Sequence, residues 1–370
     1  MAHIVIVGGG FAGVWSAAAA ARVRGTRDLR ITLIAPGDDL VLRPRLYEPE
    51  PERATVALKR VLEPVGVEHM RAAVQDIDVH ERTVTADGRK VGYDRLVLAA
   101  GSRLVRPGIP GAERMFDVDT LPGALRLRGH LRGRDGTTVV VGAGFAGLEI
   151  AAELAGRGRV VLVERAGEIA PDLGPGPRPV IEVALERLGV ECRLGTTVTE
   201  VTEGGAMLAD GTAVPADAVV WTAGLEANPL TSQIPGERDH LGRLKVDAHL
   251  RAHDAVFAAG DVAAARAEEG RLTMQSCQHA TPMGKTAGHN AAADLLGVPL
   301  IGFAPAPYVT DVDLGAAGAV YTRGWDRLVA LHGAEGKWVK RWIMDKIHPP
   351  VDDAGTILTH AGMVTTPIPF

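Results

Sequence analysis

The sequence predicts an α/β protein built from two Rossmann-like units and a short C-terminal α+β segment. Ile4-Val5-Ile6-Val7 is a β-branched apolar run of the kind buried on both faces of a parallel sheet. It leads into Gly8-Gly9-Gly10-Phe11-Ala12-Gly13 and then an Ala-rich stretch from Val14 to Val23, a good helix former. Arg30-Ile31-Thr32-Leu33-Ile34 supplies the next strand and completes a βαβ unit. The pattern then returns. Thr138 to Val141 reads as a strand, Gly142-Ala143-Gly144-Phe145-Ala146-Gly147 as the turn, Leu148 to Leu154 as the helix and Arg159 to Glu164 as the second strand. The shared Gly-Phe-Ala-Gly marks an internal repeat of a whole unit. Beyond Ile301 the pattern changes: Gly302 to Val320 reads as loop or strand, and Lys337 to Ile347 as an amphipathic helix. Arg106 to Gly111 and the Pro/Gly-rich Pro171 to Pro179 read as linkers.

Composition narrows the function. The chain has 370 residues, room for two or three domains, and 46% hydrophobic residues exclude wholesale disorder. Aromatics are scarce at 4% while glycines number 45, which suits ligand sites lined by backbone. The net charge of -5 offers no basic excess for nucleic acid. Cys192 and Cys277 cannot form a disulfide framework, a zinc cluster or a CxxC pair, so the expected setting is reducing and cytoplasmic. The first residues have no basic leader, and no apolar run nears the ~20 residues of a membrane span.

Each glycine turn has the residues a dinucleotide pyrophosphate needs: backbone N–H groups at a helix N-terminus with no side chain in the way. Gly8 and Gly142 permit the tight turn, Gly10 and Gly144 let backbone approach the phosphates, and Gly13 and Gly147 let helix sit close to strand. A strand before and a helix after both copies is the context that gives the motif meaning. Glu164, at the end of the second strand of copy two, suits the ribose 2′-hydroxyl of NADH and repels a 2′-phosphate; Arg165 beside it leaves NADPH open. Copy one has Ala35-Pro36 at that place, with Asp38 or Asp39 as substitutes or as plain solvated loop.

Other segments extend the pattern. Val91 to Ser102, containing Ala100 and Gly101, resembles the strand-and-turn that ends the first half of an FAD domain. Ala218 to Gly224 resembles its counterpart in an NAD domain, and Val256-Phe257-Ala258-Ala259-Gly260-Asp261 the second FAD motif. In this order the motifs resemble those of the two-dinucleotide-binding flavoproteins, the pyridine nucleotide-disulfide oxidoreductase superfamily, and within it the type II NADH:quinone oxidoreductases. Leu42 to Glu48, Phe145 to Glu149, and Ser276-Cys277-Gln278-His279-Ala280 continuing to Asn290 are similar to that group's flavin-proximal segments. The resemblance implies an FAD domain at 1–113 and 250–302, an NAD(P)H domain inserted at 114–249, and a flavin-covering segment at 303–370. It departs from the pattern at Ala35, at Pro282 and Met283 where Gln or Glu is usual, and in a short C-terminus. No cysteine lies between Asp38 and Ala57, where the disulfide reductases carry theirs.

The resemblance implies hydride transfer from NADH to FAD and on to a small quinone-like or aromatic acceptor, without a redox-active disulfide. On this reading Gly8, Gly10, Gly13, Arg43, Ala100, Gly101 and Asp261 hold FAD, and Gly142, Gly144, Gly147, Glu164 and Gly224 hold the nicotinamide nucleotide. Glu149, Gln278 and His279 serve the chemistry, and no metal is required. Plainer readings stand beside these: a helix-dipole partner for Glu149, a helix cap for Asp261, a surface charge for Arg43, a structural imidazole for His279. Cys277 reads as a small buried residue. Trp338, Val339, Trp342, Ile343 and Ile347, flanked by Lys337, Lys340, Arg341 and Lys346, form an apolar helix face that either packs on the flavin domain or a dimer partner, or rests on a membrane surface. Two rival functions remain: a flavin monooxygenase or tailoring oxidoreductase, and an NADH-responsive sensor resembling apoptosis-inducing factor. A ferredoxin or rubredoxin reductase is a weaker third. Monomer and homodimer are both open.

Overall fold

A computed structural model describes residues 1–363. Its main strands are β1 (Ala2–Val7), β2 (Leu29–Ala35), β3 (Glu68–Arg71), β4 (Arg95–Leu98), β5 (Thr137–Val141), β6 (Arg159–Glu164), β7 (Glu191–Leu194), β8 (Ala218–Trp221), β9 (Arg251–His253), β10 (Val256–Ala258), β11 (Val309–Asp313), β12 (Ala319–Arg323) and β13 (Leu328–His332). The helices that matter for the site are α1 (Phe11–Arg24), α2 (Phe145–Leu154), α3 (Cys277–Leu296), α4 (Gly333–Lys346) and α5 (Ala354–Gly362).

The first repeat seeds a six-stranded sheet in the order β9-β10-β4-β1-β2-β3. All its pairings are parallel except β9 with β10. Ile4, Val5 and Ile6 are wholly buried, as a parallel strand covered on both faces requires. The second repeat seeds a parallel four-stranded sheet, β7-β6-β5-β8. Strands from 251–258 thus join a sheet begun at residue 2, while the chain between builds a separate one. An antiparallel sheet, β11-β12-β13, follows, with α4 packed on it. Its Val312 and Val320, with Leu314 just after β11, share a core with Leu148 and Ile150 of α2.

Two close approaches fix the geometry. A Cβ at Gly13 would lie 1.9 Å from the Gly8 carbonyl oxygen, and one at Gly147 1.8 Å from that of Gly142. Only glycine lets each helix descend this near its own strand. In the same way α3 presses on α1: a Cβ at Gly284 would meet the Ala12 carbonyl oxygen at 2.3 Å, and one at Gly288 the Ser16 oxygen at 2.0 Å. Ser16 Oγ donates to the carbonyls of Ala12 and Gly284, 2.7 and 3.0 Å away, tying the two helices together across 268 residues of sequence.

The linker reading needs revision at one place. Pro171–Leu173 is a turn of 3-10 helix, and another helix starts at Arg178. Proline's fixed φ suits both starts.

Candidate active site

One cavity of about 1890 Å³ connects both glycine turns with the N-terminus of α3 and the inner face of α4. Single small-molecule sites usually occupy ~300–1,000 Å³, so this space suits two ligands meeting. Gly8, Gly10, Ala100, Gly101 and Asp261 line one part; Gly142, Gly144, Glu164, Arg165 and Gly224 line another. Gly13 and Gly147 stand behind, in the helix–strand contacts described above.

Arg43 and Asp261 meet. Arg43 Nη1 lies 3.3 Å from Asp261 Oδ2 and 3.0 Å from Ser102 Oγ, Ser102 donates to Asp261 at 2.7 Å, and Arg43 Nη2 pairs with Asp119. Arg43 is therefore no free surface charge. Asp261 does not cap a helix: it sits inside the short turn Gly260–Val262, whose cap is Ala259. Asp38 pairs with Arg71 on the surface, Asp39 is exposed, and neither lines the cavity, so neither stands in for the carboxylate missing at Ala35. Glu164 accepts from the backbone N–H of Ala143 at 2.7 Å and of Ala166 at 2.8 Å, which fixes its carboxylate beside the second turn.

The main departure from the sequence reading is a buried charged cluster. Glu149 lies beyond the first turn of α2, is 7% exposed and lines the cavity, so a helix-dipole role is excluded. Its Oε1 lies 2.8 Å from Lys340 Nζ and accepts from the Asp313 N–H at 3.1 Å. Lys340, 4% exposed, also pairs with Asp311 at 2.6 Å. Tyr47 Oη donates to Asp313 at 3.0 Å, and Asp313 pairs with Lys337. Burial pushes Glu149 up to about 7, while Lys340, held by two carboxylates, is raised and stays charged. Lys340, read as flanking the apolar face of its helix, points inward, and Trp338, placed on that face, is 55% exposed. Asp311 and Asp313, and their pairing with Lys340 and Tyr47, escaped sequence reasoning because no local pattern relates α2, β11, α4 and the segment after β2.

On α3, Gln278 lines the cavity, donating to the Pro307 carbonyl at 3.2 Å and accepting from Val309 N–H at 3.5 Å. His279 does not. It is 1% exposed, its Nδ1 accepts from Met274 N–H at 3.0 Å, and its ring stacks with Tyr308 and Trp325. Burial pushes it down to about 4, leaving it neutral at physiological pH. The expected proton donor is a packing residue, because the 100° step per helical residue turns it away from Gln278. Burial pushes the Cys277 thiol up to about 12, so it is unreactive as a nucleophile.

Residues 2–284 match the model of the pyridine nucleotide-disulphide oxidoreductase family. An NADH dehydrogenase-like protein of Mycobacterium tuberculosis is 45% identical over 95% of this chain and 96% of its own. The chain belongs to this pyridine nucleotide-disulphide oxidoreductase family. A demethylphylloquinone reductase of Synechocystis is 28% identical over 86% of each chain. Among solved structures, NDH2 from Plasmodium falciparum, in complex with NADH, superposes with a TM-score of 0.78, covering 97% of this chain and 96% of that one at 13% identity. That similarity shows a common fold.

This pyridine nucleotide oxidoreductase is a flavoprotein enzyme with FAD and NADH as its cofactors, and its residues fit both. Gly10 begins α1 with no side-chain cap, and a Cβ there would meet nothing within 4 Å, so the first-turn N–H groups face open space. Gly144 repeats this for α2, with only the Asp172 carboxylate, 3.5 Å from such a Cβ, nearby. Glu164→Gln keeps the shape of the side chain and removes its charge. The NADH-over-NADPH ratio of kcat/KM is expected to fall roughly tenfold, the cost of weakening one charged hydrogen bond; an unchanged ratio would remove the assigned role.

Proposed function

We propose that this oxidoreductase delivers electrons from NADH to a quinone-like aromatic acceptor with no cysteine pair taking part. FAD is assigned to residues 1–113 and 250–302, the nicotinamide nucleotide to 114–249, and the cover over the flavin to 303–370. The interleaved strand order supports this division. FAD, when bound, would supply the two-electron chemistry between NADH and the acceptor.

The observation that carries the reading is the Glu149–Lys340 pair in the wall of a cavity shared by both glycine turns. Reducing a quinone requires protons as well as electrons, and a carboxyl raised to about 7 can hold one and release it at neutral pH. Lys340 favours the anion that remains. Gln278 offers an amide at the cavity wall and Arg43 braces Asp261. Neither cysteine suits thiol chemistry, since burial raises both thiols above their ordinary range. The quinone named for the Synechocystis relative supports the acceptor class. Among the described residues no helix is long and apolar enough to cross a membrane. Exposed Trp338 and Leu328 favour peripheral contact, through which a lipid-borne quinone would arrive.

The purified protein is expected to be yellow, to bleach with NADH without oxygen, and to recolour when a naphthoquinone is added. Recolouring with oxygen or a ferredoxin but not with quinones would refute the acceptor class.

A further inference from the structure

Along the groove between α1 and α3, the cavity continues away from the N-terminus of α3. Phe11 and Trp15, one turn apart on α1, line it on one side; Gln278, Thr281 and Lys285, rising along α3, line the other. Gln278 and Thr281 are polar but uncharged; Lys285 carries the charge of this wall, 8% exposed, with its Nζ 4.2 Å from the centroid of the Trp15 ring and 3.1 Å from the Met363 carbonyl oxygen. Among the described residues no carboxylate pairs with it, and the indole N–H of Trp15, itself 4% exposed, has no partner.

A buried ammonium costs several kcal/mol unless it is compensated. Here one carbonyl and one aromatic face provide the compensation, which leaves donor capacity unused. Burial pushes Lys285 down to about 8, and among the described residues no anion pulls it back. Elsewhere around this cavity the buried cation is matched: Lys340 has two carboxylates. Among the described residues Lys285 has no such partner, and its ammonium can take a negative group from a ligand.

We propose that Lys285 selects the acceptor, receiving a carboxylate carried as a substituent on the aromatic ring, in the groove that Trp15 lines beside it. This rests on the quinone reading above and narrows it to anionic quinones. Lys285 is a specificity residue here, remote from the reacting carbonyls.

The test uses the holoenzyme with NADH and two matched acceptors: a naphthoquinone bearing a propionate side chain, and its methyl ester. The propionate is expected to have the higher kcat/KM by roughly 10- to 100-fold, expressed mainly in KM, as one charge-assisted hydrogen bond would give. Lys285→Met is expected to bring the ratio close to one, and Lys285→Arg to retain most of it. FAD content, read from the visible spectrum, is expected to match wild type in both variants. Equal use of acid and ester by wild type overturns the proposal while leaving the quinone reading intact. Reduction of neither acceptor overturns that reading. Loss of FAD in Lys285→Met shows instead that the ammonium serves the cofactor phosphates, and this too overturns the proposal.

Discussion

Glu149→Gln is expected to slow quinone reduction by roughly 10²-fold while the cofactors still bind, because a positioned acid typically contributes 10²–10⁴-fold. The amide keeps the volume and can still accept from Asp313 N–H, so the fold should persist. What disappears is a titrating proton. The wild-type carboxyl, raised by burial to about 7, is protonated below that pH. The rate of acceptor reduction should therefore decline as pH rises through about 7, and the Gln variant should lose that limb. Stopped-flow reoxidation of the NADH-reduced enzyme separates this step from flavin reduction. A variant with the same rate and the same pH profile would make Glu149 a structural residue.

Lys340→Met is expected to cost about 3–5 kcal/mol of stability, because it strands Glu149 and Asp311 as buried carboxylates without this counter-ion. The sign with pH follows. Glu149, already raised to about 7 by burial, loses the lysine that lowers it and rises further. A raised carboxyl loses stability as pH climbs to its folded-state value, so the extra loss relative to wild type comes above about pH 7, and the deficit should be larger near pH 8 than near pH 5. Urea unfolding at several pH values reads this directly. A pH-independent deficit would point to lost packing of the lysine stem instead.

Both glycine turns, their flanking strands and the second-strand Glu164 were legible because a dinucleotide cradle is a local device: strand, turn and helix lie within about 30 residues. The C-terminal helix was legible as amphipathic, but its orientation was not. Lys340 and Lys337 look equivalent in sequence; one is buried between two carboxylates and the other is half-buried against Asp313. That difference is set by β11, nearly thirty residues earlier, whose Asp311 and Asp313 sit in a stretch read only as loop or strand. His279 misled in the opposite way. A polar residue beside Gln278 suggested chemistry, whereas its packing against Tyr308 and Trp325 is a tertiary fact. The Ala35 departure was legible, and neither Asp38 nor Asp39 substitutes for it.

The fit of α3 into α1 has a consequence for synthesis. Residues 11–24 leave the ribosome long before residues 277–296, and at ~5–20 residues per second the delay is on the order of 10–50 s. Throughout that interval the alanine-rich surface of the first helix, and the edge of the sheet later taken by β10, have no mate. The nascent chain is thus a natural client for chaperones that shield apolar surface. Slowing translation through the intervening segment should lower the yield of active enzyme more than slowing it after residue 296.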